Sequence, residues 1–397
     1  MSRNAIFMLL AVWLFCVPLD VAGADRLEVK TTRVAEISDL PLVDWVYNID
    51  FAGEYVGVVE KDKSSFQLRR SDGSVVFSRE AEKGTWFGSI KVYCPEGPLV
   101  VSHARGEDNI SYSAYTVSGE VIFEDLLANY CELRCSPSGN YFYKSNNFMG
   151  GGREKPAIYD RSGSLLASPT IHTHRWELIC DSDSTIIFMH DDRVMKLSVP
   201  EMVVLAEVKI NPFGPPSVFH TSISPCHSYF AYSEYGKVTV CDFESGLARQ
   251  INLDPIGPVN VNWDVVLSPG GEYVIAYETV VTGAVLNLFK KTDEGYQPAV
   301  KNYVTPVEKR HYTCGGFFFN GNVCALSFLN DHPLLQFETF VIDCDKLTKG
   351  SESYILLDGL VTEDSTDQQQ FRIYRLNRES AGHLEIRTMD GPKVTGE

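Results

Sequence analysis

Apolar positions in this chain fall in short runs separated by Gly, Pro, Ser and Asp, and inside many of those runs apolar and polar residues alternate. A period of two over so few residues predicts β-strands. We find no long segment with an apolar period near 3.6, and the spacing between turns leaves no room for helices. One pattern repeats along the chain: an apolar strand, a Ser-Pro-x-Gly turn, a strand of aromatic and β-branched residues, a polar loop, a third strand ending in Asp-x-x-Gly, and a short fourth strand. The clearest copy joins Ser136-Pro-Ser-Gly139 to Tyr141-Phe-Tyr-Lys144 and then to Ile158-Tyr-Asp160-Arg-Ser-Gly163. Others start at Ser224-Pro-Cys-His227 and Ser268-Pro-Gly-Gly271. Weaker ones center on Phe51-Ala-Gly53, Cys94-Pro-Glu-Gly97, Cys180-Asp-Ser-Asp183, Asn320-Gly-Asn322 and the region near Asp367.

Turns recurring every ~42 to 50 residues match the period of propeller blades. The expected fold is therefore all-β, a β-propeller of four-stranded blades occupying residues 25–397 as one domain. Eight blades are expected, or seven if the last two strands, around Phe371 to Leu376 and His383 to Thr388, are an appendage. The C-terminal copy has a poor first strand, and residues 27–37 are apolar enough to serve as an outer strand, so the N-terminal strand is expected to close the last blade and cover its edge. Ser136-Pro-Ser-Gly139 together with Ile158-Tyr-Asp160 resembles the Ser-Pro-Asp-Gly and Trp-Asp elements of the WD40-like and quinoprotein-like propellers. Tyr159-Asp160, Cys241-Asp242 and Ile342-Asp343 stand where that family carries Trp-Asp. The resemblance implies a rigid ring that hosts either a scaffold or an enzyme.

The N-terminus changes the expected compartment. Arg3, an unbroken apolar run at 5–19 and Ala22-Gly23-Ala24 make the three parts of a signal peptide over residues 1–24. The run is shorter than the roughly 20 residues of a membrane-spanning helix. Secretion or a periplasmic location is expected, with no membrane insertion after cleavage. Charge narrows the partners: 35 Lys and Arg against 52 Asp and Glu give a formal net charge of −17. The longest basic run is Lys309-Arg310-His311, which disfavors nucleic acid, whose binding needs clustered cations.

Among the ten cysteines, Cys94, Cys135 and Cys180 occupy the place that Ile223 and Leu267 hold in other repeats, so they are expected to be buried, unpaired core residues. Cys131 is expected to share a strand and a face with Cys135, and Cys314 with Cys324 is the best candidate disulfide, flanking one hairpin.

Candidate chemistry concentrates on one face. In such a ring, the connections entering each first strand project on the same side as those between second and third strands. That side gathers Trp86, Phe148, Arg153 and Glu154, together with Arg175, Asp191, Asp192 and Arg310 as ligand-contact candidates. Loops on a rigid scaffold are where binding residues concentrate, and the glycine-rich segment around Phe148 is the most distinctive of them. His172 and His174 would lie on one face of an extended segment and are the candidate metal ligands. No catalytic residue and no cofactor is assignable beyond that possible metal ion. The expected function is a binding or scaffold module for a protein, peptide or glycan. The alternative is a propeller enzyme, either a metal-assisted hydrolase or lyase or a quinoprotein-like dehydrogenase.

Overall fold

The computed structural model describes residues 27–28, 30–37, 40, 49–93, 99–104, 110–127, 131–145, 155–170, 176–211, 220–234, 236–254, 263–280, 283–306, 312–318, 321–330, 336–351, 354–363, 370–376, 383–390 and 393–394. They form eight four-stranded antiparallel sheets arranged as a propeller ring. Blades 1 to 7 occupy residues 49–80, 86–127, 132–167, 176–209, 221–252, 264–304 and 312–358. Blade 8 takes its three inner strands from residues 360–390 and its outer strand from Thr31–Ile37. The eight-blade count and the closure by an N-terminal strand are thus as the sequence predicts. The predicted 27–37 strand is split: Leu27–Glu28 pairs with Lys393–Val394, and Thr31–Ile37 pairs with Leu384–Asp390.

The recurring turn explains why the pattern folds this way. Ser136, Ser224 and Ser268 are fully buried, and each hydroxyl accepts the backbone N–H that opens the next strand, at Tyr141, Tyr229 and Tyr273. Each serine carbonyl accepts a turn N–H, from Gly139, His227 and Gly271 respectively. Those three residues have positive φ, so the glycines answer a steric need and His227 accepts the strain. Between third and fourth strands, the Asp160 carboxylate accepts the N–H groups of Ser162 and Ser164 while Gly163 takes the left-handed position. In blade 7 the aspartate of Ile342-Asp343 instead caps a short helix, Cys344–Thr348, by accepting from the Lys346 N–H. That helix corrects the expectation of a helix-free chain. Asp-Lys-Leu-Thr replaces the glycine that would have made a tight turn.

Blades pack through their sheet faces. Gly57 lies against the neighboring blade so closely that a Cβ there would meet the Val92 and Ile90 side chains at 2.8 and 2.9 Å. Seams are also stitched by backbone amides of the inner strands. The Val92 N–H donates to Asp50, the Cys180 N–H to the Tyr143 hydroxyl, and the Leu267 N–H to the Ser222 hydroxyl, each bond crossing from one blade to the next. At the closing seam Tyr374 of blade 8 stacks on Phe51 of blade 1, with ring centroids 4.3 Å apart, and donates its hydroxyl proton to the Gly53 carbonyl.

Cys135, Cys180, Ile223 and Leu267 each end an inner strand, as the alignment of turns predicts. Cys131 precedes the Glu132–Cys135 strand rather than lying in it. Cys324 is a free, buried thiol opposite Phe318, and the register puts Thr313 across from Phe328; the two cysteines are therefore offset along the hairpin and do not pair. Cys94 lies outside the described residues.

Candidate functional site

Strand direction divides the ring into two ends. The Ser-Pro-x-Gly and Asp-x-x-Gly turns crowd one end, the turn face. Connections between blades and between second and third strands emerge at the other, the connection face. Trp86 opens the inner strand of blade 2 there, with 37% of its surface exposed. Asp191 and Asp192 form the tight connection between the second and third strands of blade 4. Asp191 adopts a φ of 51° and its carboxylate lies 3.3 Å from Nε2 of the buried His190. Asp192 accepts from Arg193 at 3.2 Å, and that hydrogen bond holds its carboxyl below the usual carboxylate range. Arg193 also reaches Glu207 at 3.2 Å. Trp86 and the aspartates are therefore on one face, as expected, but two blades apart. Phe148, Arg153, Glu154, His172, His174, Arg175 and Arg310 lie outside the described residues. Among the described residues no three His, Cys, Asp or Glu side chains come close enough to hold a metal.

A line of charges near the ring axis was not singled out from the sequence. Asp50 and Lys91 face each other across the seam of blades 1 and 2, 3.8 Å apart. In blade 3, Arg134 donates to Glu132 through both Nη2 and Nε, at 2.8 and 3.1 Å. Glu177 of blade 4 accepts from the Ser145 hydroxyl of blade 3. Charged residues in inner strands that are otherwise apolar, as in Ile49–Ala52 and Glu132–Cys135, were the available signal. Desolvation between the blades pushes the Asp50 carboxyl above its ordinary value, although Lys91 and the Val92 N–H pull it down. A carboxyl whose folded pKa is raised binds its proton more tightly in the folded state, so its ionization subtracts stability as pH rises from the unfolded value near 3.9 through the folded one. Asp50→Asn is therefore expected to gain stability relative to the parent at pH 7 and to lose that advantage below about pH 4, read as the difference in Tm between the two proteins across pH. A difference that is flat with pH would refute this.

A second unforeseen feature opens beside the Asp191–Asp192 turn. Between the outer strand of blade 4 and the sheet of blade 5 is a recess of about 230 Å³, lined by Lys209, Asn211, Tyr232, Glu234, Lys237 and Gln250 among others. Burial pushes the Cys180 thiol up to about 11 and that of Cys241 up to about 12, which keeps these two protonated and poor nucleophiles.

No family model matches this sequence, and no curated protein matches it. Solved structures are similar in fold. Kluyveromyces lactis Hsv2 aligns with a TM-score of 0.51 at 11% identity, over 81% of this chain and 98% of that one. A chain from the crystal structure of a mitotic checkpoint complex aligns at 0.49 and 13% identity, over 81% and 98%. Together with the blade pattern, the turn chemistry and the closing N-terminal strand, the first of these likenesses settles the architecture: the chain folds as a β-propeller of eight four-stranded blades.

Proposed function

We propose that the mature chain, freed of residues 1–24, is an exported or periplasmic binding module that holds a protein, peptide or glycan on its connection face. The propeller fold supports a binding role in general. The observation that carries this reading is Trp86, a large aromatic set half-exposed at the edge of a rigid strand on that face. Buried aromatic anchors dominate binding energy at interfaces, and leaving one partly bare before a partner arrives is what such a surface requires. The excess negative charge argues for partners other than nucleic acid. No described helix is long and apolar enough to cross a membrane.

Two measurements test the reading. N-terminal sequencing of protein recovered from the periplasm or medium is expected to begin at Asp25; retention of residues 1–24 on cell-associated protein would overturn export. Arrays of glycans and peptides probed with the purified mature chain are expected to yield a ligand whose affinity falls about tenfold or more in Trp86→Ala. Leu165→Ser, on the exposed outer strand of blade 3, serves as the control and leaves it unchanged. Equal binding by both variants would move the site off this face.

A further inference from the structure

We propose that the recess between blades 4 and 5 is a binding site for a carboxylate-bearing group about the size of one amino acid or sugar acid. The inference deepens the binding role assigned to the connection face and rests on it, since the recess opens at that face's rim.

Its walls come from two blades. The outer strand of blade 4 runs out at Lys209, and the chain continues through Ile210 and Asn211. Ile210 is held in place by its N–H, which donates to the Asp192 carbonyl at 2.8 Å, and its side chain is buried. This leaves the Lys209 and Asn211 side chains exposed at the mouth. On blade 5, Tyr232, Thr239 and Gln250 are paired across three strands, so that they share one face of the sheet. Tyr232 is only 1% exposed and forms the floor, while Ala248 in the outer strand is too small to fill the space above it. Glu234 and Lys237 close one end as an ion pair of 2.8 Å, with the carboxylate buried.

The charges are then divided in a particular way. Lys237 is matched by Glu234. Arg193 takes both nearby carboxylates, Asp192 and Glu207. Lys209 is near enough to Asp192 to help hold that carboxyl down but makes no contact ion pair or side-chain hydrogen bond among the described residues, and the amides of Asn211 and Gln250 make no side-chain hydrogen bond there. One ammonium and two amides supply the donors for a single carboxylate, and the amide carbonyls remain to accept an N–H or O–H beside it. One cation without a contact ion pair among the described residues fits a monoanion better than a phosphate, and the net charge of −17 repels polyanions generally. The volume falls below the roughly 300–1,000 Å³ of pockets for whole drug-sized ligands, which suits the end of a longer chain. Two sources share this chemistry: the C-terminal residue of a peptide, and a uronic acid at the end of a glycan.

The test uses the mature protein and NMR titration with N-acetylglycyl-alanine, its C-terminal amide, galacturonate and galactose. At least one of the two carboxylates is expected to bind, with its neutral counterpart about tenfold weaker or undetectable. Lys209→Gln, at an exposed position without a contact ion pair among the described residues, is expected to weaken carboxylate binding about tenfold and leave the fold intact. Ala248→Leu, which fills the recess, is expected to abolish binding. Preference for N-acetylglycyl-alanine assigns a peptide end, and preference for galacturonate a glycan end. Carboxylate and neutral probes binding alike, or neither carboxylate binding, would overturn the proposal. If that happens while Trp86→Ala still abolishes ligand capture, the connection face stands and only the recess falls; carboxylate binding with no effect of Trp86→Ala gives the converse.

Discussion

A chain that begins after Leu40 is expected to lose cooperative unfolding and to accumulate as aggregate. The reason lies in where blade 8 finds its fourth strand. Six residues between Thr31 and Ile37 pair with Leu384–Asp390, and Ile37 and Leu40 are buried against Ile49, Phe51, Tyr374 and Ile386. Burying an aliphatic side chain of that size contributes about 1.5–3 kcal/mol, so these two alone approach a large share of the ~5–15 kcal/mol by which domains are stable. Removal also bares the Leu384–Asp390 strand as an unpaired edge. A graded variant separates ring closure from mere loss of chain. Tyr374→Ala removes the stack on Phe51 and is expected to destabilize by about 3–5 kcal/mol. Tyr374→Phe loses only the bond to the Gly53 carbonyl, about 1 kcal/mol. Urea denaturation followed by fluorescence reads all three. A truncated chain that melts at the parent's midpoint would show that seven blades and three strands suffice.

The same comparison shows which parts of this molecule were legible in one dimension. Turn chemistry was, because it is local: Ser136 meets the N–H of Tyr141 five residues on, and Asp160 meets that of Ser164 four residues on. Ring closure was legible because an incomplete last repeat and a spare apolar segment at the other end imply each other. The short helix after Asp343 was not, since Cys-Asp-Lys-Leu-Thr carries no period long enough to register. The recess was hidden for a different reason. Lys209 and Gln250 are ordinary solvent-facing residues of two different outer strands, and only the packing of blade 4 on blade 5 sets them around one space. Of the residues picked from the sequence for the connection face, Trp86, Asp191 and Asp192 are placed on it. Arg193, which neutralizes the acids around Lys209, drew no notice because Asp192 is merely its neighbor in sequence and only strand register brings Glu207 within reach.

Asp181→Ala is expected to destabilize the protein by about 3–5 kcal/mol, far more than Asp192→Ala, although both remove one aspartate from the same blade. Asp181 belongs to the turn after the inner strand of blade 4, and its side chain is 1% exposed. Its carboxylate accepts from the Lys196 ammonium at 2.8 Å, from the Thr185 hydroxyl at 2.6 Å, and lies 3.0 Å from Nδ1 of His227 in blade 5. Lys196 in turn donates to the His227 carbonyl at 3.0 Å, so one acid gathers three groups at the turn face, two from its own blade and His227 from across the seam. Truncating it leaves the Lys196 ammonium, itself 17% exposed, without its counter-charge. That is the costly half of a buried pair, because the desolvation remains when the attraction is gone. The Asp192 side chain is 45% exposed and its partner Arg193 keeps Glu207, so its loss is expected to be scarcely measurable. Lys196→Met combined with Asp181→Ala removes both charges and is expected to recover most of the loss. Guanidinium denaturation of the three variants decides the matter, and equal midpoints for Asp181→Ala and Asp192→Ala would show that the seam is held by packing alone.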